Sequence, residues 1–129
     1  MERCQEAAPL ELQKAIDEFN SGEWFECHET LEELWVGEQG ELRDFYQGLL
    51  QIAVALYHWR NGNFKGAVLL LQRGGDCLRR VSPRCREVEV GRLLADAAVM
   101  QQALEELGEE RMDEVEARLV PRVHRVGRP

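Results

Sequence analysis

The sequence has no long apolar run and no export signal, and both absences limit where the protein can work. The longest nearly apolar stretch, residues 49–59, is interrupted by Gln51 and His58 and is too short to cross a bilayer. No apolar segment follows a basic region near Met1, so no signal peptide is predicted. We therefore expect a cytoplasmic protein with no membrane partner.

The cysteines form no C-x-x-C pair, which argues against a structural zinc site. Without an export signal, Cys4, Cys27, Cys77 and Cys85 are all predicted to be reduced thiols. Cys27 and Cys77 fall at apolar positions of predicted helices and are expected to be small core residues.

Motifs of known enzymes are also missing. The chain has no nucleophile elbow, no glycine-rich phosphate loop and no dense cluster of metal ligands. We predict no metal and no cofactor. Whether the protein is an enzyme stays open at this point.

Charge is unevenly distributed along the 129 residues, which have a net charge of −8. Acidic residues dominate residues 1–60 and would repel a nucleic-acid backbone, so nucleic acid is not an expected partner. The C-terminal end is basic instead, with Arg118, Arg122, Arg125 and Arg128. The length fits one domain, and we predict a single helical domain over residues 1–120 and a basic tail over 121–129.

Apolar residues recur at three- and four-residue steps along most of the chain, which predicts helices. The expected helices cover residues 9–19, 23–36, 41–60, 64–81, 87–107 and 110–119, separated by short turns rich in Gly and Asn. Gly74 and Gly75 weaken the fourth helix. Residues 122–126 could be extended. The predicted fold is all-α: antiparallel helical hairpins, five to six helices in one compact bundle.

Two turn sequences, residues 20–24 and 60–64, resemble each other at an offset of forty positions. In each, a glycine precedes an aromatic residue by two positions, Gly22 before Trp24 and Gly62 before Phe64. This indicates a helical hairpin repeat with Trp24 and Phe64 at equivalent positions.

The repeat differs at His28 and Glu32, which replace an apolar and a neutral residue of the other copy. They are four residues apart on a helix edge beside Trp35 and are therefore neighbours. Such a pair can bind a metal, perform acid–base chemistry, or simply hold a histidine in place. His28 and Glu32 are thus the candidate catalytic residues. The segment starts like the zinc-peptidase H-E-x-x-H motif but lacks its second histidine.

The third helix is apolar except for one stripe, formed by Asp44, Gln47, Gln51 and His58. This stripe is either a solvated face or part of a polar groove shared with the second helix. On the second interpretation, the predicted ligand-binding residues are His28, Glu32, Trp35, Gln47, Gln51 and His58.

Two segments together resemble the domain of unknown function 309 family: Phe19-Asn20-x-Gly22-Glu23-x-Phe25-Glu26-x-His28-Glu29-x-Leu31-Glu32-Glu33-Leu34-Trp35, and the stretch from Phe45-Tyr46-Gln47-Gly48 to Leu56-Tyr57-His58. The resemblance spans roughly residues 16–80, with Cys27 where the family usually has alanine. It implies a small all-helical bacterial or archaeal protein and no established activity.

Three classes of function remain open. The preferred one is a binding or interaction domain, whose polar groove around the second and third helices takes a small ligand or a protein partner. The alternative is a hydrolase that uses His28 and Glu32 as an acid–base pair or as metal ligands. The third is a structural protein that forms homo-oligomers.

Overall fold

The computed structural model describes residues 3–126. It contains the helices α1 (Leu10–Asn20), α2 (Trp24–Val36), α3 (Gly40–Arg60), α4 (Phe64–Leu78) and α5 (Val90–Leu107). Short 3-10 turns cover Arg3–Gln5, Glu109–Glu114 and Ala117–Leu119. Strands β1 (Arg84–Cys85) and β2 (Val88–Glu89) form a small antiparallel hairpin. The predicted all-α helical bundle is confirmed.

Helix α3 lies at the centre of the bundle, because α2 packs against it on one side and α4 on the other. Its apolar residues Phe45, Ile52 and Leu56 are completely buried. Leu31 of α2 and Leu49 of α3 are buried between the two helices, and Trp35 is partly buried against the same core. The wide apolar face of α3 therefore explains its position.

The two similar turns have the same backbone conformation. Gly22 and Gly62 both have positive φ values, +76° and +78°, which glycine adopts without steric cost. Trp24 is buried, and its indole N–H donates to the Phe19 carbonyl oxygen at 3.0 Å. Phe64 is only partly buried. The two turns therefore share their glycine conformation. The helical hairpin repeat itself stays a prediction.

The region after α4 differs from the sequence prediction. Helix α4 ends at Leu78 and α5 begins at Val90, because residues 84–89 form the β-hairpin. The predicted sixth helix, residues 110–119, is instead two 3-10 turns. Arg111 leaves the helical region, and Val115 and Glu116 are extended. A helical pattern of apolar residues does not reveal these backbone breaks.

The prediction that all four cysteines are reduced thiols is wrong for Cys4 and Cys85, which form a disulfide. Their separation of 81 positions gives no hint of the pairing. The fold brings them together because the first 3-10 turn packs against β1. Cys27 and Cys77 are buried free thiols, which confirms their predicted place in the core.

The C-terminal segment packs against the bundle as far as it is described. Val123 is buried, and Arg125 forms an isolated antiparallel bridge with Val88, so the predicted extended segment is confirmed. Residues 127–129 of the predicted tail lie outside the described residues, and the domain boundary at residue 120 stays a prediction. Between residues 3 and 126, no helix is long and apolar enough to cross a membrane.

Candidate functional site

His28 and Glu32 contact each other on the outer edge of α2. The Gly22 turn starts this helix at Trp24, and the four-residue spacing then stacks the two side chains. His28 Nε2 lies 3.2 Å from Glu32 Oε2. The His28 side chain is 30% exposed and that of Glu32 is 52% exposed. The pair is therefore accessible to solutes, and its contribution to stability is at most about 1 kcal/mol.

A surface depression of about 200 Å³ lies between α2 and α3. Its lining consists of Glu32, Trp35, Gln47, Leu50 and Gln51. Four of the six predicted ligand-binding residues therefore meet here, and His28 adjoins them through its contact with Glu32. The sequence prediction omitted Leu50. It lies three residues after Gln47, a helical neighbour spacing that could have identified it.

Two polar groups of this depression, on Trp35 and Gln47, lack a hydrogen-bond partner within residues 3–126. The indole Nε1 of Trp35 is buried and has no partner within the described chain. The Gln47 side chain also makes no hydrogen bond to any residue between 3 and 126. Gln51 Oε1 accepts only a long contact of 3.7 Å from Cys77 Sγ. The Gln47 amide is half-buried and unpaired, so it is free to bind a solute, whereas Trp35 Nε1 is enclosed and is not reached from the depression.

The face of Trp35 already carries one cation. The guanidinium carbon of Arg43 lies 4.4 Å from the centre of the indole ring, in a cation–π contact. Asp44, the next polar residue of α3, forms an ion pair with Arg80 at 3.0 Å. The predicted polar stripe therefore contains both paired groups, such as Asp44, and an unpaired one, Gln47.

His58 lies in the last turn of α3, just before the turn that leads to α4. It does not line the depression. Its Nδ1 is 3.3 Å from Nδ2 of Asn63, whose Oδ1 accepts from the Gly66 N–H at 2.9 Å. The imidazole also lies against Gly66, where a Cβ atom would come within 2.9 Å of it. These contacts give His58 a place in the capping of α4.

A row of rings joins the two histidines without bringing them into contact. Phe25 lies 6.1 Å from the His28 ring and 5.7 Å from Tyr57, which in turn lies 6.1 Å from His58. Residues 3–126 contain no group of three or more His, Cys, Asp or Glu side chains arranged to hold a metal ion. His28 and Glu32 therefore remain a two-residue pair in the described chain.

Two other depressions are larger. One of about 300 Å³ adjoins the first through Glu32 and is lined by Glu29, Glu32, Glu33 and Val36. The other, of about 440 Å³, lies between the end of α5 and the following 3-10 turns. It contains none of the predicted site residues. The depression of about 300 Å³ is acidic, and its Glu29 and Glu33 add negative charge beside Glu32.

Comparison with known sequences identifies the segment that holds the site. Residues 12–70 match the profile of the family described as Domain of unknown function (DUF309). This confirms the family that the sequence pattern indicates. The matched segment includes most of α1, all of α2 and α3, and the start of α4, and with them all six predicted ligand-binding residues.

Two relatives share this part of the chain. An uncharacterized protein of Bacillus subtilis, YpuF, is 46% identical over 50 residues, which are 38% of this chain and 29% of YpuF. An uncharacterized protein of Aquifex aeolicus is 36% identical over 53 residues, 40% of this chain and 16% of the relative. The similarity thus covers less than a third of each relative. No solved structure matches the chain significantly.

Proposed function

We propose that the protein is a binding module whose α2–α3 depression holds the cationic group of a small ligand or of a protein partner. The observation that carries this proposal is the lining of the depression. The carboxylate of Glu32 and the unpaired amide of Gln47 stand beside the apolar surfaces of Trp35 and Leu50. This combination of an apolar wall with a few polar groups is typical of ligand sites.

Charge favours a cation as the occupant. Glu29, Glu32 and Glu33 surround the adjoining depression, and the whole chain has a net charge of −8. Trp35 accepts a guanidinium on its ring, as its contact with Arg43 demonstrates. A guanidinium or ammonium group near Glu32 would gain a charge-assisted hydrogen bond, which is stronger than one between neutral groups.

Acetyl-arginine amide is a suitable probe, with acetyl-citrulline amide as its uncharged counterpart. In an NMR titration, we expect the arginine compound to shift the backbone signals of residues 32–36 and 47–51. Glu32→Gln should weaken this binding by at least about fivefold. Glu106→Gln, an exposed change on α5, is the matched control and should leave binding unchanged. Equal shifts with both compounds, or shifts elsewhere, would contradict the proposal.

The alternative function is a hydrolase, and the observation that favours it is the 3.2 Å contact between His28 and Glu32. A carboxylate in this position orients the imidazole for acid–base work. Hydrolysis of p-nitrophenyl acetate by the wild type and by His28→Ala tests this function. A rate above that of free imidazole, lost in the variant, would support the hydrolase. Equal rates would leave the binding module as the better proposal.

Location and assembly also remain proposals. The sequence predicts a cytoplasmic protein, and a second copy of the chain is a candidate partner. Val36, 66% exposed, borders the acidic depression and could extend such a contact. Sedimentation at several concentrations tests for the homo-oligomer.

A further inference from the structure

The amino-terminal segment is fastened to the bundle mainly by one covalent bond. We call residues 3–8 the strap. Only Cys4 and Ala8 of the strap are buried, whereas Arg3, Gln5, Glu6 and Ala7 are exposed. The Cys4–Cys85 disulfide joins the strap to strand β1 of the hairpin.

The strap is also held by hydrogen bonds and ion pairs. Gln13 Nε2 of α1 donates to the Ala8 carbonyl oxygen at 3.0 Å. The Arg86 N–H donates to the Cys4 carbonyl oxygen at 2.5 Å. Arg3 pairs with Glu38 at 2.8 Å, and Glu6 pairs with Arg86 at 3.0 Å. Arg3 and Glu6 are 52% and 47% exposed, whereas their partners Glu38 and Arg86 are 17% and 10% exposed, so solvent screens each ion pair in part. The disulfide is the covalent tie between the strap and the hairpin, and the remaining contacts are individually weak.

The hairpin beneath the strap is strained at its turn. Arg86 and Glu87 both have positive φ values, 49° and 70°, in a two-residue turn that normally contains Asn or Gly. The Arg86 residue is only 8% exposed, and within residues 3–126 its Nε has no hydrogen-bond partner. The strap contacts this turn twice: the Cys4 carbonyl accepts from the Arg86 backbone N–H, and Glu6 pairs with the Arg86 guanidinium.

The strap also covers part of α3. Tyr46 of this helix is 1% exposed, and burial raises the pKa of its phenol, with smaller opposing effects from Arg3 and Glu6 of the strap. Arg86 and Glu38, the ion-pair partners of the strap, act on the same phenol. The strap contacts α3 and binds Arg86 through Glu6 and the Cys4 carbonyl, and both Tyr46 and Arg86 are buried. Removing the strap would therefore uncover this part of the bundle.

We propose that the Cys4–Cys85 pair is a redox latch: reduction by a dithiol releases the strap and uncovers Tyr46 and Arg86. One thiolate of the dithiol attacks a sulfur of the disulfide, and the other cysteine leaves as a thiolate and takes up a proton. The second thiol of the reductant then displaces the first cysteine. The protein gains two electrons and two protons, and the reductant becomes a disulfide. Fraying at the exposed residues Gln5 and Glu6 gives the reductant access to Cys4.

Hydrogen exchange with and without dithiothreitol tests the latch on the wild-type chain. Reduction should accelerate exchange at residues 3–8 and 84–89 by at least about tenfold and leave α2 unchanged. Nitration by tetranitromethane provides a second readout, after dithiothreitol has been removed and the thiols have been blocked with iodoacetamide, because the reagent also oxidises thiols. Tyr46 should become reactive only after reduction, whereas the half-buried Tyr57 should react equally in both states and serves as the internal reference.

Two variants complete the design. Cys4→Ser/Cys85→Ser should behave like the reduced wild type at every dithiothreitol concentration. Cys77→Ser removes a free thiol and should keep the full response. If the double variant loses its helical circular dichroism, hydrogen exchange of the reduced wild type alone tests the latch. The latch is wrong if the strap keeps its protection after mass spectrometry shows full reduction, or if Cys4 and Cys85 stay free thiols under excess oxidised glutathione.

Discussion

Gly48 of α3 and Gly74 of α4 face each other where the two helices cross. A Cβ atom on Gly48 would lie 3.2 Å from the Gly74 carbonyl oxygen, and one on Gly74 would lie 3.1 Å from that of Gly48. Both distances are shorter than ordinary contacts of a Cβ atom. The sequence predicts Gly74 as a weak point of α4, but the structure shows that its missing side chain permits close packing against the central helix.

Gly74→Ala should therefore destabilise the protein, although alanine favours helix formation by about 1 kcal/mol over glycine. The new methyl group would lie 2.7 Å from Ile52 Cγ1. We expect the free energy of unfolding to fall by about 1–3 kcal/mol in urea denaturation followed by circular dichroism.

Gly75→Ala is the matched control for this change. Its Cβ would lie 3.5 Å from Leu94 Cδ1, an ordinary contact. We expect an unchanged free energy of unfolding, or one raised by up to about 1 kcal/mol. Equal losses in both variants would contradict the close crossing at Gly74.

Trp24→Ala should be among the most damaging single changes in α2. The indole is buried, donates to Phe19, and has the Arg60 guanidinium 4.6 Å from its ring centre. Removing it should lower the free energy of unfolding by about 3–5 kcal/mol. The neighbouring Phe25 is 48% exposed, so Phe25→Ala should cost much less in the same urea experiment. Similar losses for the two variants would refute the burial of Trp24.

Asn20→Ala should loosen the C-terminal segment. The Asn20 side chain donates to the Val123 carbonyl oxygen at 2.9 Å and accepts from the Val123 N–H at 2.8 Å. Losing both bonds should cost about 1–3 kcal/mol of unfolding free energy and speed hydrogen exchange at residues 121–126. Asn61→Ala, at an exposed turn, serves as control. Unchanged exchange in Asn20→Ala would show that other contacts hold the segment.

Raising the pH should destabilise the fold through its buried thiols. Burial raises the pKa of Cys27, and it also raises the pKa of Cys77, where Arg80 opposes the shift. Ionising these thiols is therefore harder in the folded chain than in the unfolded one. The stability they contribute is complete below the ordinary thiol pKa of about 8.5 and is lost as the pH rises above it.

Urea denaturation from about pH 7 to about pH 9.5 measures this loss. Cys27→Ala should flatten the dependence on pH, whatever its effect on stability at pH 7. In the same range, iodoacetamide should modify both thiols of the folded protein slowly. A free energy of unfolding that stays constant to pH 9.5 would contradict the prediction.

Much of the bundle could be predicted because its signals are local. The turns at Gly22 and Gly62 and the apolar face of α3 depend on residues close in sequence. The contact between His28 and Glu32 also follows from helical spacing alone, and it is present at 3.2 Å.

The features that sequence could not reveal depend on contacts between distant residues. Cys4 meets Cys85 only because the first turn packs on β1. His58 shares a polar stripe with Gln51, but its ring turns to Asn63 at the end of the helix. Helical periodicity places a residue on a face of the helix. It does not determine which residue of the following turn the side chain contacts.

The arrangement of contacts along the chain has a consequence for the order of folding. Helices α1 to α5 pack mainly against their neighbours in sequence, so the loops that close between them are short. The bonds from Asn20 to Val123 and from Cys4 to Cys85 instead span most of the chain. Contacts between distant residues form slowly because a long loop must be closed first. The helices should therefore assemble early, and the two ends of the described chain should dock onto the finished bundle in a later and slower kinetic phase.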